Sequence, residues 1–570
     1  MHQENRRRFL TRTSGSFLAA AVGGSGWTLP RPAEAQTSAE QTADVVILGG
    51  GLGGCAAALA ALRNGLTVVM TETTDWIGGQ LTSQAVPPDE HRWIETHGAN
   101  ASYRELRHRI RQFYRRHYPL TDAAQQREHL NPGNGSVSRL CHEPRVALSV
   151  FQQWLAPFRS GQRLRLHTET DPVGAEVEGD HVRSVTVRHR PSGDTSVLTA
   201  PIFLDATELG DLLPLTGTEY VTGAESQAET GELHALAERD PANQQAFTMC
   251  FAVDHLAGED HTIAKPAEYD FWESFQPTLT PPWPGRLLDW TYTHPRSGTP
   301  RRLGFAPQGG PHGGVINLWV YRRLVDRGQF VEGTYPGDVS LINWPQNDYF
   351  LGNLIDVPPE VAARHVERAR QLSLSLLYWM QTAAPRGDGG VGFPGLRLRG
   401  DLVGTTDGLA KAPYIRESRR IAAEFTVLEK HVGEAQRRQL TGRSGDELRA
   451  APFADSVGVG SYAIDLHPTT GGDNYIDFPT LPFQIPLGAL LPQRMENLLP
   501  ACKNIGTTHL TSGCYRLHPV EWGIGEAAGC LASFCRSKSL LPRAVWQRAP
   551  LLAEFQQRLQ QQGVECRWPS

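Results

Sequence analysis

The sequence predicts an α/β fold that begins with a strand–helix–strand unit. Val45 to Leu48 are four apolar, mostly β-branched residues, as in a short buried strand. An Ala/Leu-rich stretch follows and predicts a helix, and Thr67 to Thr71 predict the second strand. Gly49, Gly51 and Gly54 form G-x-G-x-x-G between the first strand and the helix. This order indicates a βαβ unit that binds a dinucleotide.

The glycine spacing predicts how the dinucleotide lies. The first glycine allows a tight turn, the second lets a pyrophosphate approach the helix N-terminus, and the third lets helix and strand pack closely. Gly53, in the same loop, joins the predicted cofactor-binding residues. Glu72 follows at the distance where an acidic side chain accepts hydrogen bonds from a ribose hydroxyl.

A second glycine pair favours FAD over NAD. Trp76-Ile-Gly-Gly-Gln80 resembles the extended fingerprint of FAD-binding proteins of the glutathione-reductase-like superfamily, which nicotinamide-only enzymes lack. The resemblance implies that Gly78, Gly79 and Gln80 bind FAD.

Composition excludes several other classes. The 570 residues, 40% hydrophobic and 20% charged, leave room for two or more domains. A formal net charge of -5 gives no basic field for nucleic acid. The eight cysteines form no C-x-x-C, so they predict buried or free thiols and no metal site. H-E-x-x-H and G-x-S-x-G are also absent from the sequence.

The N-terminus predicts export. Asn5-Arg-Arg-Arg-Phe-Leu10 is a twin-arginine pattern, followed by an apolar run from Phe17 to Trp27 and an Ala33-Glu-Ala35 cleavage site. We therefore expect residues 1–35 to be a signal peptide and the twin-arginine machinery to deliver a periplasmic or secreted protein. The run is too short to span a bilayer stably, so a retained anchor is the weaker alternative.

A basic helix is predicted from Ala99 to Tyr118. Tyr103, Leu106, Ile110 and Phe113 share one face. The other face is predicted to carry Arg104, Arg107, His108, Arg109, Arg111, Arg115 and Arg116. Either a funnel for acidic substrates or a solvated face explains this pattern.

Further periodic segments continue the α/β pattern. They are a helix over 143–158, strands over 164–168, 182–188 and 202–207, with Asp205 at the end of the last, and a helix from Pro359 to about Met380 that buries Leu372, Leu376 and Met380. Gly387, Gly389 and Gly392 repeat the G-x-G-x-x-G spacing without a preceding strand, which indicates a loop and no second nucleotide domain.

The C-terminal part predicts the flavin end of the site. Leu498 to Gly506 read as a strand running into a turn that places Asn504. Pro519 begins a helix with small residues, among them Gly525, that permit close packing. The positive start of this helix would stabilise the negative charge of a reduced flavin.

The sequence resembles the FAD-dependent oxidoreductases of the glutathione-reductase-like superfamily, in their secreted bacterial branch, over nearly the whole mature chain. The segments that carry the resemblance are Trp76–Gln80, Asp205–Asp211, Asn343–Asp348, Ile415–Arg420, Asp455–Gly458, Tyr462–Pro468 and Arg516–Gly529. The resemblance implies a flavoprotein oxidoreductase without naming its substrate. Cys514 departs from the pattern and leaves open a reactive thiol or a covalent flavin link.

We therefore predict a discontinuous Rossmann-like FAD-binding domain, residues 43–215 and 401–540, with an inserted α+β substrate/capping domain over 216–400 and a C-terminal helix over 541–570. The predicted enzyme is an oxidase or dehydrogenase that moves hydride from a small polar molecule to FAD and then to oxygen, quinone or a periplasmic carrier. Alternatives are an NAD(P)H-dependent flavin monooxygenase, which would find little reduced nicotinamide outside the cytoplasm, and a non-catalytic FAD-fold binding protein.

Three histidines compete for the role of general base: His467, His509 and His518. His518 is preferred because it directly precedes the Pro519 helix, whose positive end should lower its pKa. Arg516 could stabilise a developing anion. Tyr515 is a further candidate for the base. Arg416, Arg419 and Arg420 either clamp a substrate carboxylate or form ion pairs, for instance with Glu417.

Overall fold

The structure is a computed structural model and describes residues 39–308 and 315–569. The predicted signal peptide, residues 1–35, lies outside the described residues.

The strands, in chain order, are β1 (Ala39–Thr42), β2 (Val45–Leu48), β3 (Val68–Thr71), β4 (Leu164–His167), β5 (Thr170–Glu178), β6 (His181–His189), β7 (Thr195–Thr199), β8 (Ile202–Asp205), β9 (Tyr220–Val221), β10 (Phe247–Thr248), β11 (Phe251–His255), β12 (Thr291–Thr293), β13 (Pro300–Arg302), β14 (Arg323–Val325), β15 (Val339–Ile342), β16 (Asp348–Tyr349), β17 (Leu396–Leu398), β18 (Arg420–Ile421), β19 (Ser456–Gly460), β20 (Ile464–Leu466), β21 (Ile476–Phe478), β22 (Phe483–Pro486) and β23 (Leu498–Pro500).

The α-helices are α1 (Leu52–Arg63), α2 (Ala101–His117), α3 (Asp122–Gln126), α4 (Pro144–Ser160), α5 (Leu212–Thr216), α6 (Gln227–Thr230), α7 (Tyr269–Ser274), α8 (Leu318–Tyr321), α9 (Pro359–Thr382), α10 (Gly400–Val403), α11 (Glu429–Val432), α12 (Glu434–Thr441), α13 (His509–Tyr515), α14 (His518–Lys538), α15 (Pro542–Gln547) and α16 (Ala549–Gln561).

A five-stranded parallel sheet underlies the site, with the strand order β23-β8-β2-β3-β4. The predicted βαβ unit is confirmed as β2, α1 and β3. Leu48 and Pro500 both pair with Asp205, so β2, β8 and β23 end at the same edge. Because β23 follows β8 by almost three hundred residues, this edge joins distant parts of the chain.

Helices α1 and α14 pack against each other through glycine. A Cβ on Gly525 would lie 2.0 Å from the carbonyl oxygen of Gly53, and one on Gly529 would lie 2.3 Å from that of Ala57. Both distances are far below van der Waals contact, so only glycine allows the two backbones to come this close. This packing holds the start of α14 beside the glycine loop.

A separate core lies in the middle of the sequence. Strands β14, β15, β11 and β17 form an antiparallel sheet, and Phe251, Val253 and Ile342 on one of its faces pack in this core with α9. Tryptophan is abundant there, with Trp272, Trp319 and Trp344 fully buried. The predicted helix from Pro359 is confirmed, and its apolar stripe of Leu372, Leu376 and Met380 is buried. The predicted domain boundaries stay a prediction.

The predicted solvent face of α2 is wrong at two positions. Arg107 and Arg111 are buried and pair with Glu95, at 2.5 Å and 2.7 Å, and Arg107 also pairs with Glu90 at 2.8 Å. The cause is tertiary: the segment after β3 brings its carboxylates onto this face. Residue type along a helix cannot show that an arginine will meet a buried partner.

Among residues 39–308 and 315–569, every helix is too short or too polar to cross a lipid bilayer.

Candidate cofactor and active site

The glycine loop between β2 and α1 has no room for side chains. A Cβ on Gly49 would lie 2.2 Å from the carbonyl oxygen of Ala206, and one on Gly53 would lie 1.9 Å from that of Ala501. A Cβ on Gly54 would lie 2.0 Å from the oxygen of Gly49. Gly49 also has a φ of 98°, which favours glycine. The loop is therefore fixed against the segments that leave β8 and β23.

A cleft of ≈ 460 Å³ lies at the carboxyl ends of β2, β3 and β8. Four predicted cofactor residues line it: Gly49, Gly51, Glu72 and Gly79. Its other walls include Ser83, Gln84, Arg188, Thr207, Glu208, Ala412 and Pro413. Open α/β sheets bind ligands at this edge, so the cleft is the candidate cofactor site.

The start of α1 supplies donors for a diphosphate. Gly51 caps the helix without a side-chain hydrogen bond. In the described part of the chain, the N–H groups of Gly51 and Leu52 have no hydrogen-bond acceptor. Free N–H groups at the positive end of a helix bind phosphate oxygens, so these residues fit the diphosphate of a dinucleotide.

Glu72 lies at the tip of β3 and holds the neighbouring loops. One carboxylate oxygen accepts from the N–H of Gly50 at 3.0 Å, and the other accepts from the N–H and hydroxyl of Thr74 at 2.9 Å and 2.8 Å. Burial raises the pKa of Glu72 to about 7. Its predicted contact with a ribose stays a prediction, and its place in the cleft lining agrees with that role.

Gly78 and Gln80 form hydrogen bonds to the segments around the cleft. The N–H of Gly78 donates to the oxygen of Gly50 at 2.7 Å. The Gln80 amide donates to the backbone oxygen of Arg516 at 3.1 Å and to the Glu521 carboxylate. Gln80 thus connects the second glycine pair to α14.

Four other predicted cofactor residues have structural positions outside the cleft lining. The Asp205 carboxylate accepts from the N–H of Thr207 at 3.0 Å, and burial raises its pKa to about 7. The Asn504 amide donates to the Asp205 backbone oxygen at 3.1 Å. Pro519 lies in the first turn of α14, and Gly525 contacts Gly53.

His518 is fully buried at the start of α14. Its Nδ1 accepts from the N–H of Asp89 at 3.1 Å, and its Nε2 has no partner within the described residues. Burial lowers the pKa of His518 to about 4, so the imidazole is neutral near pH 7. The predicted direction of the shift is confirmed, but burial is its main cause. Asp89 in turn pairs with Arg322 at 3.1 Å.

Arg516 and His467 belong to one buried network. Arg516 lies 3.4 Å from the carboxylate of Asp465, which lies 3.7 Å from His467 Nε2. His467 Nδ1 contacts Asp348 at 2.6 Å, and Arg416 contacts the same carboxylate at 3.1 Å. Burial alone would raise the pKa of Asp348, but Arg416 and His467 outweigh it and lower the pKa below its usual range. Four of the segments that suggested the family thus meet here.

His509 and Tyr515 lie apart from this network. His509 Nδ1 contacts Glu417 at 3.0 Å, and Glu417 also pairs with Arg420 at 2.5 Å. The Tyr515 hydroxyl donates to the oxygen of Gln484 at 2.6 Å. The predicted catalytic residues are therefore distributed over four environments.

The ion-pair interpretation of the arginine cluster agrees with the structure. Arg416 pairs with Asp348, Arg420 with Glu417, and Arg419 with Asp211 and Asp356 at 3.3 Å and 3.0 Å.

Tyr321, Tyr462 and Asp465 form a polar group near Asp89 and Arg516. Tyr321 and Tyr462 are only half-buried, and the Asp465 side chain keeps 25% of its surface free. Yet burial raises the pKa of Tyr321 to about 12 and that of Tyr462 well above its usual value.

The cysteines are all free and buried, as predicted. Cys514 donates to the oxygen of Thr511 at 3.3 Å, and burial raises its pKa. A buried thiol with a raised pKa is a poor nucleophile.

Sequence reasoning missed the charges around the cleft. Glu208 follows Asp205 by three residues within a segment that carried the family resemblance, so a signal existed. Lys503 precedes the predicted Asn504 and pairs with Glu208. Asp89 and Arg322 left no signal, because their pairing depends on tertiary contacts between distant segments.

The loop, the cleft and the helix starts define a dinucleotide-binding α/β protein. The chain belongs to the FAD dependent oxidoreductase family, whose model matches residues 44–559. As a member of this family it is an FAD-dependent enzyme, as predicted. FAD is its cofactor, and the non-catalytic alternative is set aside.

Solved structures with distant similarity were also found. An L-proline dehydrogenase from P. horikoshii is 16% identical, with 34% of this chain and 26% of that chain covered and a TM-score of 0.16. A myxobacterial chondrochloren halogenase is 12% identical, with 39% and 46% covered and a TM-score of 0.21. A geranylgeranyl bacteriochlorophyll reductase-like protein from Thermoplasma acidophilum is 10% identical, with 92% and 85% covered and a TM-score of 0.29. The chain spans less than half the length of the first two. No curated protein matches the sequence.

Proposed function

We propose that the enzyme is exported and oxidises a small polar organic molecule, with electrons passing through FAD to oxygen, a quinone or a periplasmic carrier. The Asn5–Leu10 and Ala33–Ala35 patterns support export by the twin-arginine machinery. The sheet that combines β2, β3, β4 and β8 with β23 supports a discontinuous Rossmann-like domain over 43–215 and 401–540, of the glutathione-reductase-like kind in its secreted branch.

The observation that carries the proposal is the unpartnered Nε2 of His518. A buried polar atom without a partner costs free energy, and a bound ligand that supplies the missing hydrogen bond removes this cost. Gln84 lines the cleft and also has an unpartnered side-chain oxygen. Because Gln84 precedes Asp89 by five residues, one short segment connects the cleft to His518.

FAD, when bound, supplies the acceptor of a hydride. The protein must then bind the substrate, exclude water and move the substrate's proton. We propose that the substrate binds beside Tyr321, Tyr462 and Asp465, and that Arg516 stabilises negative charge on its oxygen. His518 Nε2 is proposed to take the proton, because a neutral imidazole is a competent base.

The tautomer of His518 gives a second candidate role. With Nδ1 accepting from Asp89, the ring hydrogen lies on Nε2, where it donates a hydrogen bond to the substrate oxygen. With the ring hydrogen on Nδ1 instead, the hydrogen bond from Asp89 is lost and Nε2 is free to accept a proton. Both roles act on the same substrate atom.

An NAD(P)H-dependent monooxygenase is the runner-up. The loop around Gly387–Gly392 contains turns and one isolated bridge between Pro385 and Val391, without a helix that could complete a second nucleotide site.

The test is the His518→Ala variant under anaerobic conditions, with sugars, hydroxy acids, phenols and amines as substrates. We expect it to retain FAD and to lose at least about 100-fold in the rate of flavin bleaching, whereas His467→Ala and His509→Ala lose less. Because the pKa of His518 is about 4, the wild-type rate should not change with His518 ionisation above about pH 5. Wild-type bleaching by His518→Ala across the pH range refutes the assignment.

A further inference from the structure

A lysine is buried beside the glycine loop. The side chain of Lys503 is 2% exposed, and its ammonium pairs with Glu208, lies 3.9 Å from a Glu521 oxygen and 3.5 Å from the sulfur of Cys502. Neither the glycine fingerprint nor the family resemblance assigns a role to this lysine. A buried ammonium requires a nearby anion, so its partner is part of its function.

Glu208 lies against the surface that fits the diphosphate. Its Oε1 is 3.0 Å from the position of a Cβ on Gly51 and 3.1 Å from that of a Cβ on Gly79. This oxygen is buried and has no hydrogen-bond partner within the described residues. Glu208 also lines the cleft, so one carboxylate faces the open side of the loop.

The carboxylates of Glu208 and Glu521 beside the loop do not favour the binding of a diphosphate. Glu521 accepts the N–H of Gly53 at 3.1 Å and is completely buried, so it is fixed in place. Glu208 keeps 24% of its side-chain surface and can turn toward solvent. A diphosphate beside Gly51 would meet two carboxylates and a single ammonium unless one carboxylate gives way.

We propose that Lys503 is a diphosphate-binding residue and that Glu208 is its competing anion. On FAD binding, the Lys503 ammonium exchanges the Glu208 carboxylate for a phosphate oxygen, while Glu521 stays bound to Gly53 and Gln80. The Glu208 carboxylate and the diphosphate thus compete for the ammonium of Lys503. This inference concerns FAD binding alone and does not depend on the identity of the substrate or the role of His518.

The test is a titration of the FAD-depleted full-length protein with FAD, followed by the quenching of flavin fluorescence. Glu208→Gln removes the competing charge and should tighten FAD binding about tenfold, as one charge-assisted contact predicts. Lys503→Met should weaken it by about tenfold or more, and Lys503→Arg should restore most of the affinity. In the Lys503→Met background, Glu208→Gln should have a smaller effect.

Two controls separate this mechanism from general attraction. Asp211 lines the same cleft but pairs with Arg419, so Asp211→Asn removes a negative charge without freeing a lysine. It should change FAD affinity less than Glu208→Gln does. Riboflavin, which lacks a diphosphate, should bind Glu208→Gln and Asp211→Asn with equal affinity.

Three results would overturn the inference. The first is that Glu208→Gln weakens FAD binding, or tightens it no more than Asp211→Asn does. The second is an equal effect on riboflavin. The third is a requirement for Mg²⁺, because ligand atoms of Glu208, Cys502 and Glu521 lie within 4.8 Å of one another and a metal would then be the cation. If Lys503→Met does not fold, Glu208→Gln and Lys503→Arg decide the question.

Discussion

The contact between α1 and α14 predicts a large effect from one methyl group. In Gly525→Ala the new Cβ would lie 2.0 Å from the oxygen and 2.8 Å from the Cα of Gly53. Both neighbours are backbone atoms of a packed helix, so the helices must separate by about 1 Å. Overpacking of this kind costs about 3 kcal/mol, and the higher helix propensity of alanine returns about 1 kcal/mol. We expect a net loss of about 2 kcal/mol in the free energy of unfolding.

Gly523, in the same helix, provides the matched control. A Cβ there would lie 3.5 Å from Ile485 Cδ1, which is an ordinary contact. Gly523→Ala should therefore be neutral or stabilising by up to about 1 kcal/mol. Gly53 belongs to the glycine loop, so Gly525→Ala should also weaken FAD binding, while Gly523→Ala should not.

The assay is urea unfolding followed by far-UV circular dichroism, together with FAD titration of both variants. A lower urea midpoint with an unchanged m-value would show a loss of stability rather than a changed unfolded state. If Gly525→Ala matches Gly523→Ala in midpoint and in FAD affinity, the close approach of the two helices does not support the loop and the reasoning fails.

Two further predictions concern burial. Burial raises the pKa of Glu72 to about 7, above its unfolded value, so its stabilisation is complete below about pH 4 and is lost as the pH rises through 7. Glu72→Gln should therefore reduce the fall in urea midpoint between about pH 5 and pH 8, and an unchanged slope would contradict the shift. All eight cysteines are buried, so the native protein should react slowly with a thiol reagent and expose eight thiols when unfolded. One fast-reacting thiol in the native protein would refute this.

Local patterns predicted the elements whose partners are close in sequence. Val45–Leu48, the glycine loop and α1 follow one another, so composition and spacing identify them. The helix from Pro359 was also predictable, because its apolar stripe repeats along one face. In these cases the residues that determine the structure are neighbours in the chain.

Charged pairs were not predictable in the same way. Arg107 and Arg111 look like solvent-facing residues until Glu95 is placed against them. Lys503 and Glu208 are separated by almost three hundred residues and meet only because β23 pairs with β8. Whether an ionisable side chain is buried depends on its tertiary partner, which helical and strand periodicity do not encode.

The face of α14 explains why cofactor and substrate sites depend on one helix. Glu521, Gly525 and Gly529 recur every four residues and lie on one side, where they meet Gly53 and Ala57 of α1. His518 lies in the first turn of the same helix, where its ring accepts from Asp89. Any shift that separates α14 from the glycine loop must also move His518 relative to the cleft. The glycine contacts therefore set the position of the proposed base as well as the packing, and Gly525→Ala should slow anaerobic flavin reduction even at saturating FAD, whereas Gly523→Ala should not.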